Sequence, residues 1–110
     1  MYRDEDLRRV VACLHCMECG VIGESQTAHS NLAVHGKGGA QKASDAAVFS
    51  LCHSSCHEAL DQGDEMNAAE KEAATYRYIA STYIALIELG FLELSAAGRA
   101  AALKQPGWQG

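Results

Sequence analysis

The chain lacks any apolar run approaching the length needed to cross a bilayer, which argues against a membrane-spanning helix. It also lacks an apolar leader: Met1-Tyr2-Arg3-Asp4-Glu5-Asp6 is charged where such a stretch would begin, so a cytoplasmic protein is expected. A surplus of positive charge is missing too. The formal net charge is −5, which argues against a protein that coats nucleic acid without sequence preference. No internal repeat is present, and 110 residues suit one domain with a modest core that a staple would help to hold. Finally, the five cysteines are odd in number and clustered at ligand spacing. In a reducing compartment that pattern favours metal ligands over disulfides.

The charges present are unevenly spread. Residues 1–57 carry five Lys/Arg against six Asp/Glu, and residues 58–110 carry four against eight, so the acidity lies mostly in the C-terminal half. Between Ser30 and Ser44 the only charged residues are Lys37 and Lys42, a local basic loop that could meet a phosphate or stay solvated.

Leu7, Val10 and Val11 at helical spacing predict a short amphipathic helix over Asp4 to Ala12. Cys16-Met17-Glu18-Cys19-Gly20 has the form of a zinc knuckle, with a glycine able to take an unusual backbone angle after the second thiol. A first strand is expected over Gln26 to Ser30, a glycine-containing loop over Asn31 to Ala43, and a second strand over Ala46 to Leu51. A helix then opens at His53 or Ser54 and runs to about Gln62, where Gly63 ends it. Strand, loop, strand and helix make a ββα unit, and the fold class is α+β.

Asn67-Ala68-Ala69-Glu70 has the pattern of a capping box, so a long helix should follow to about Gly90. Ala69, Ala73, Tyr76, Ala80, Tyr83 and Ile87 recur at alternating steps of four and three. The stripe reads as a helix packing on the ββα core, with a homodimer seam as the alternative. Phe91 to Leu94 could add an edge strand, and residues 96–110 read as a mobile tail.

Two sequence-local thiol pairs bring four ligands to one ion with little loop entropy inside each pair. Cys16, Cys19, Cys52 and Cys56 are the candidates for a structural zinc, and Cys13 or His53 could substitute. Cys13 otherwise reads as a small buried residue beside the first helix. His57 and Asp61, four apart on a helix, share one face and could hold a second divalent ion such as Mg²⁺, Mn²⁺ or Zn²⁺. His29, on the first strand, is the candidate general base, because neutral imidazole can take a proton from water near neutral pH. Asp45 could fix its tautomer, with Asn31 a weaker candidate for that job. Lys37, Lys42 and His35 are the candidate phosphate contacts, and Asp64 and Glu65 read as solvated charge.

The order Cys16–Gly20, Gln26–Asn31, Gly36-Lys37-Gly38, Lys42–Asp45 and Leu51–Gly63 resembles the YbcO-like nucleases of phages and prophages, within the HNH or His-Me finger endonuclease superfamily. The resemblance covers about residues 13–63. It implies a ββα-metal fold, a structural zinc, a catalytic divalent ion and DNA cleavage in a bacterial host, in company with phage recombination or replication proteins. The chain departs from that pattern at three places. Ala28 stands where many such enzymes carry a further ligand, Asp45 stands where an asparagine is expected, and three residues rather than two separate Cys52 from Cys56. A noncatalytic zinc module that binds DNA or protein is the competing reading, and a structural dimer organised by the long helix is a third.

Overall fold

A computed structural model describes residues 2–36 and 43–107. Lys37 and Lys42 lie outside the described residues, so their expected phosphate contacts do too.

Helix α1 spans Glu5–Ala12 and starts where expected, because the Asp4 side chain accepts from the Leu7 N–H and caps it. Strands β1 (Ser25–His29) and β2 (Val48–Cys52) form a two-stranded antiparallel sheet, with Ala28 opposite Phe49 and His29 opposite Val48. The expected bounds were one residue late for β1 and two early for the start of β2. A single turn of 3-10 helix, Ala33–His35, lies in the predicted loop and ends on Gly36 in a left-handed conformation. Helix α2 begins at Cys56, after a turn through His53–Ser55, and runs to Gln62.

Helix α3 spans Ala68–Glu88, and both bonds of the capping box form: Glu70 N–H to the Asn67 side chain at 2.8 Å, and Asn67 N–H to Glu70 Oε1 at 3.0 Å. Its C-terminal end closes on Gly90 at φ +81°, with Gly90 N–H bonded to the Ile87 carbonyl and Phe91 N–H to the Leu86 carbonyl. One expectation beyond that end is corrected: residues 91–94 form no strand, because no strand edge pairs with them. Within the stretch read as a mobile tail, residues Ala96–Leu103 form an eight-residue helix, α4, capped by Ser95 and with no buried residue.

Side-chain alternation divides the core between the two faces of the sheet. On one face Ala28, Phe49 and Leu51 pack with Leu60 of α2 and with Ala74 and Tyr78 of α3. On the other, Val48 packs with Val11 and Leu14 from α1 and its exit, and with Leu86 from the far end of α3. All of β2 is buried, so α3 lies across it.

The expected inward stripe of α3 is overturned. The buried residues are Ala74, Thr75, Tyr78, Thr82 and Leu86, whereas Ala69, Ala73, Tyr76, Ala80 and Ile87 are exposed and Tyr83 is half-buried. The threonines reverse the reading because each is satisfied inside. Thr75 Oγ1 donates to the Lys71 carbonyl at 2.8 Å, and Thr82 Oγ1 accepts the Ser50 N–H at 3.2 Å. Among the described residues no helix is long and apolar enough to cross a membrane.

Candidate functional site

The knuckle turn after α1 places Cys16 and Cys19, and the end of β2 with the start of α2 places Cys52 and Cys56. All four sulfurs lie within 4.8 Å of one another. Cys19 Sγ and Cys52 Sγ are 3.9 Å apart, close to the ~3.8 Å edge of a tetrahedron with metal–sulfur bonds of about 2.3 Å. The four sulfurs could therefore hold a metal ion such as zinc.

Backbone donors reinforce the fit, with Cys19 N–H reaching Cys16 Sγ at 3.5 Å and Cys56 N–H reaching Cys52 Sγ at 3.4 Å. Burial pushes the Cys16 thiol up, but N–H groups of Cys19, Cys52 and Glu18 outweigh it and bring it down to about 6. Burial and the three neighbouring thiols push Cys56 the other way. Without a cation, four thiolates repel at this spacing; a divalent ion relieves the conflict.

Neither proposed substitute belongs to the cluster. Cys13 is exposed at the C-cap of α1, not buried as expected, because the helix turns its Val10 and Val11 side toward the core instead. His53 is exposed in the turn before α2.

His29 and Asp45 come together as expected, with Nε2 of His29 2.7 Å from Oδ1 of Asp45. Asp45 is fully buried and also takes the Asp4 N–H at 2.8 Å, Arg3 Nη1 at 3.2 Å and Arg8 Nε at 3.1 Å. Burial pushes its carboxyl up, yet the Asp4 N–H, His29 and Arg8 hold it below the usual carboxylate range. An ionised Asp45 only accepts, so His29 Nε2 carries the hydrogen and the neutral ring presents Nδ1 as an acceptor.

On α2, His57 Nε2 lies 3.1 Å from Asp61 Oδ2, and Asp61 Oδ1 accepts from Asn31 Nδ2 at 3.2 Å. The other nitrogen of His57 meets the Gln26 side chain. Asn31 thus serves Asp61, not His29. The 3.1 Å separation between the His57 nitrogen and the Asp61 oxygen is that of a direct hydrogen bond. These are two protein ligand atoms; among the described residues, the four cysteines are the only group of three or more.

His29 and Asp61 line one cleft of about 230 Å³, together with Asn31, Lys71, Glu72 and Thr75. Lys71 and Glu72 were not anticipated. They come from the first turns of α3, and no local spacing in the sequence tells which loop that end of a helix will face. His35 lies elsewhere, beside a separate cavity, with Nδ1 2.6 Å from Ser30 Oγ and its ring edge-on to Tyr76. Asp64 and Glu65 are exposed, as read from the sequence.

Comparison with protein families, with characterised proteins and with solved structures finds no match to this chain.

Proposed function

We propose that the chain is a metal-dependent DNA endonuclease or nickase of the His-Me finger type, stapled by a structural zinc on Cys16, Cys19, Cys52 and Cys56. The observation that carries the reading is the pairing of His29 with the buried Asp45 at the rim of a cleft that also contains Asp61.

Asp45 holds the Nε2–H and leaves Nδ1 to accept a proton from an attacking water. As the ring takes on charge, the same carboxylate stabilises the imidazolium. His57 and Asp61 would hold a divalent cation, which when bound stabilises negative charge on the phosphate and departing oxygen. Lys71, at the cleft wall, offers a cationic contact for the phosphate.

Nicking of supercoiled plasmid in Mg²⁺, Mn²⁺ or Zn²⁺ tests the proposal. His29→Ala should lower the rate by roughly 10²–10⁴-fold with bound zinc unchanged.

A specific observation favours a second reading, a noncatalytic zinc module that binds DNA or protein. Both oxygens of Asp61 and both ring nitrogens of His57 already have protein partners, so this corner is satisfied without an ion. Equal inertness of wild type and His29→Ala, combined with DNA binding, selects that reading.

A further inference from the structure

The cleft beside His29 is poorly supplied with positive charge for a polyanion. Lys71 on its wall is matched by the adjacent Glu72, and Asp61 adds a further negative group. Among the described residues, the cations that reach the His29–Asp45 pair are Arg3 and Arg8. Arg3 Nη1 lies 3.2 Å from Asp45 Oδ1, and Arg8 Nε lies 3.1 Å from Oδ2. His29 Nε2 shares Oδ1 at 2.7 Å, so the Arg3 nitrogen and the His29 ring nitrogen are at most 5.9 Å apart.

We propose that Arg3 and Arg8 form a phosphate-binding site for the stretch of DNA strand next to the scissile bond; the identity of the ligand rests on the nuclease function proposed above. Spare donor capacity is the first argument. A guanidinium carries five N–H donors, and Asp45 contacts one nitrogen of each arginine, while the two side chains remain 42% and 44% exposed. The buried carboxylate also holds both guanidiniums in place before DNA arrives, which lowers the entropic cost of gripping a phosphate.

Net charge is the second. With His29 neutral, two guanidiniums and one carboxylate leave a surplus of one positive charge. The acidic residues of the same stretch are engaged elsewhere. Asp4 takes the Leu7 N–H and the Tyr2 hydroxyl, Glu5 pairs with Arg9, and Asp6 lines a separate cleft with Leu86 and Phe91.

Placement is the third. Helix α1 packs on one face of the sheet and the first turns of α3 on the other, while His29 is the last residue of β1. A strand that lies in the cleft at Lys71 and passes over His29 therefore arrives at Arg3 and Arg8.

Binding of a short fluorescent DNA duplex to the full chain, read by anisotropy without added divalent ion, tests the site. Arg3→Gln and Arg8→Gln should each weaken binding by roughly twofold to fivefold. Each should also reduce the slope of log affinity against log salt by about 1. Arg99→Gln, an equal change of net charge on α4, should leave affinity and slope at wild-type values. A purely structural pairing with Asp45 would lower the melting temperature without moving the salt slope, and that result overturns the proposal. So does an Arg99→Gln effect of equal size, or a wild type that binds no duplex at about 50 mM salt. Should Arg8→Gln misfold, Arg3→Gln, which lies outside α1, decides alone. A wild type that binds with this arginine dependence yet nicks no plasmid refutes the nuclease function and keeps the site. Nicking with arginine-independent affinity does the reverse.

Discussion

His29 and Asp45 are joined by a 2.7 Å contact between the end of the first strand and the turn before the second, and the carboxylate that makes it has no exposed surface. The same two oxygens anchor the Asp4 N–H, Arg3 and Arg8, so one side chain orients an imidazole and ties down the chain's first residues. Removing its charge should therefore affect both.

Asp45→Asn keeps the shape but leaves the two arginines and His29 without their anion. Unfolding in urea should show a loss of roughly 1–3 kcal/mol, the usual cost of disrupting buried polar pairing. If His29 is the general base, the variant should also nick plasmid more slowly and with an altered pH–rate profile, which a purely structural carboxylate would not change.

Acid should destabilise the protein through this corner. Asp4 is pulled below the ordinary carboxylate value of 3.8 by the Leu7 N–H and Tyr2, and Asp45 by the contacts that outweigh its burial. A carboxyl depressed in the folded state stabilises fully above its unfolded value and loses that contribution as pH falls through the folded one. The contribution of this corner, read as the difference in melting temperature between wild type and Asp45→Asn, should hold from neutral pH to about 4.5 and shrink below about 4. Asp45→Asn, though less stable at neutral pH, should show a shallower decline; an identical slope would place the acid sensitivity elsewhere.

The two ligand sets should separate by metal analysis. Cys16→Ser and Cys52→Ser are expected to lose zinc and most of the folded state, since zinc binding of this kind is worth on the order of 10–16 kcal/mol in small domains. Excess chelator should do the same to wild type. His57→Ala should keep its zinc and its melting temperature while weakening Mn²⁺ binding. Loss of all zinc in that variant would mean one shared site.

Gly63→Ala tests the end of α2. A Cβ there would sit 2.5 Å from the Ala59 carbonyl oxygen and 3.1 Å from its Cα, both backbone atoms that cannot swing aside. The last turn, which carries Asp61, must shift. The expected cost is about 1–3 kcal/mol by denaturant unfolding, and the Asn31–Asp61 contact should be lost.

What could be read from the residues was chemistry fixed by short spacing. The Cys16/Cys19 and Cys52/Cys56 pairs, the Asn67/Glu70 cap and the His57/Asp61 step all declare themselves within one turn of chain, and the structure forms each. Features set by tertiary packing were harder. Thr75 and Thr82 lie outside the apolar stripe, yet each has a backbone partner in the interior, so counting apolar residues selected the wrong side of α3. Lys71 gave no signal either, because its place at the cleft depends on how α3 lies across β2, not on its neighbours in sequence.

The grip of Asp45 on residues 3, 4 and 8 has a practical side. Anything fused upstream, such as a purification handle, would begin only a few bonds from the group that steadies His29. Assays made with such a fusion risk reporting on the handle, so the opposite terminus is the better place to attach one.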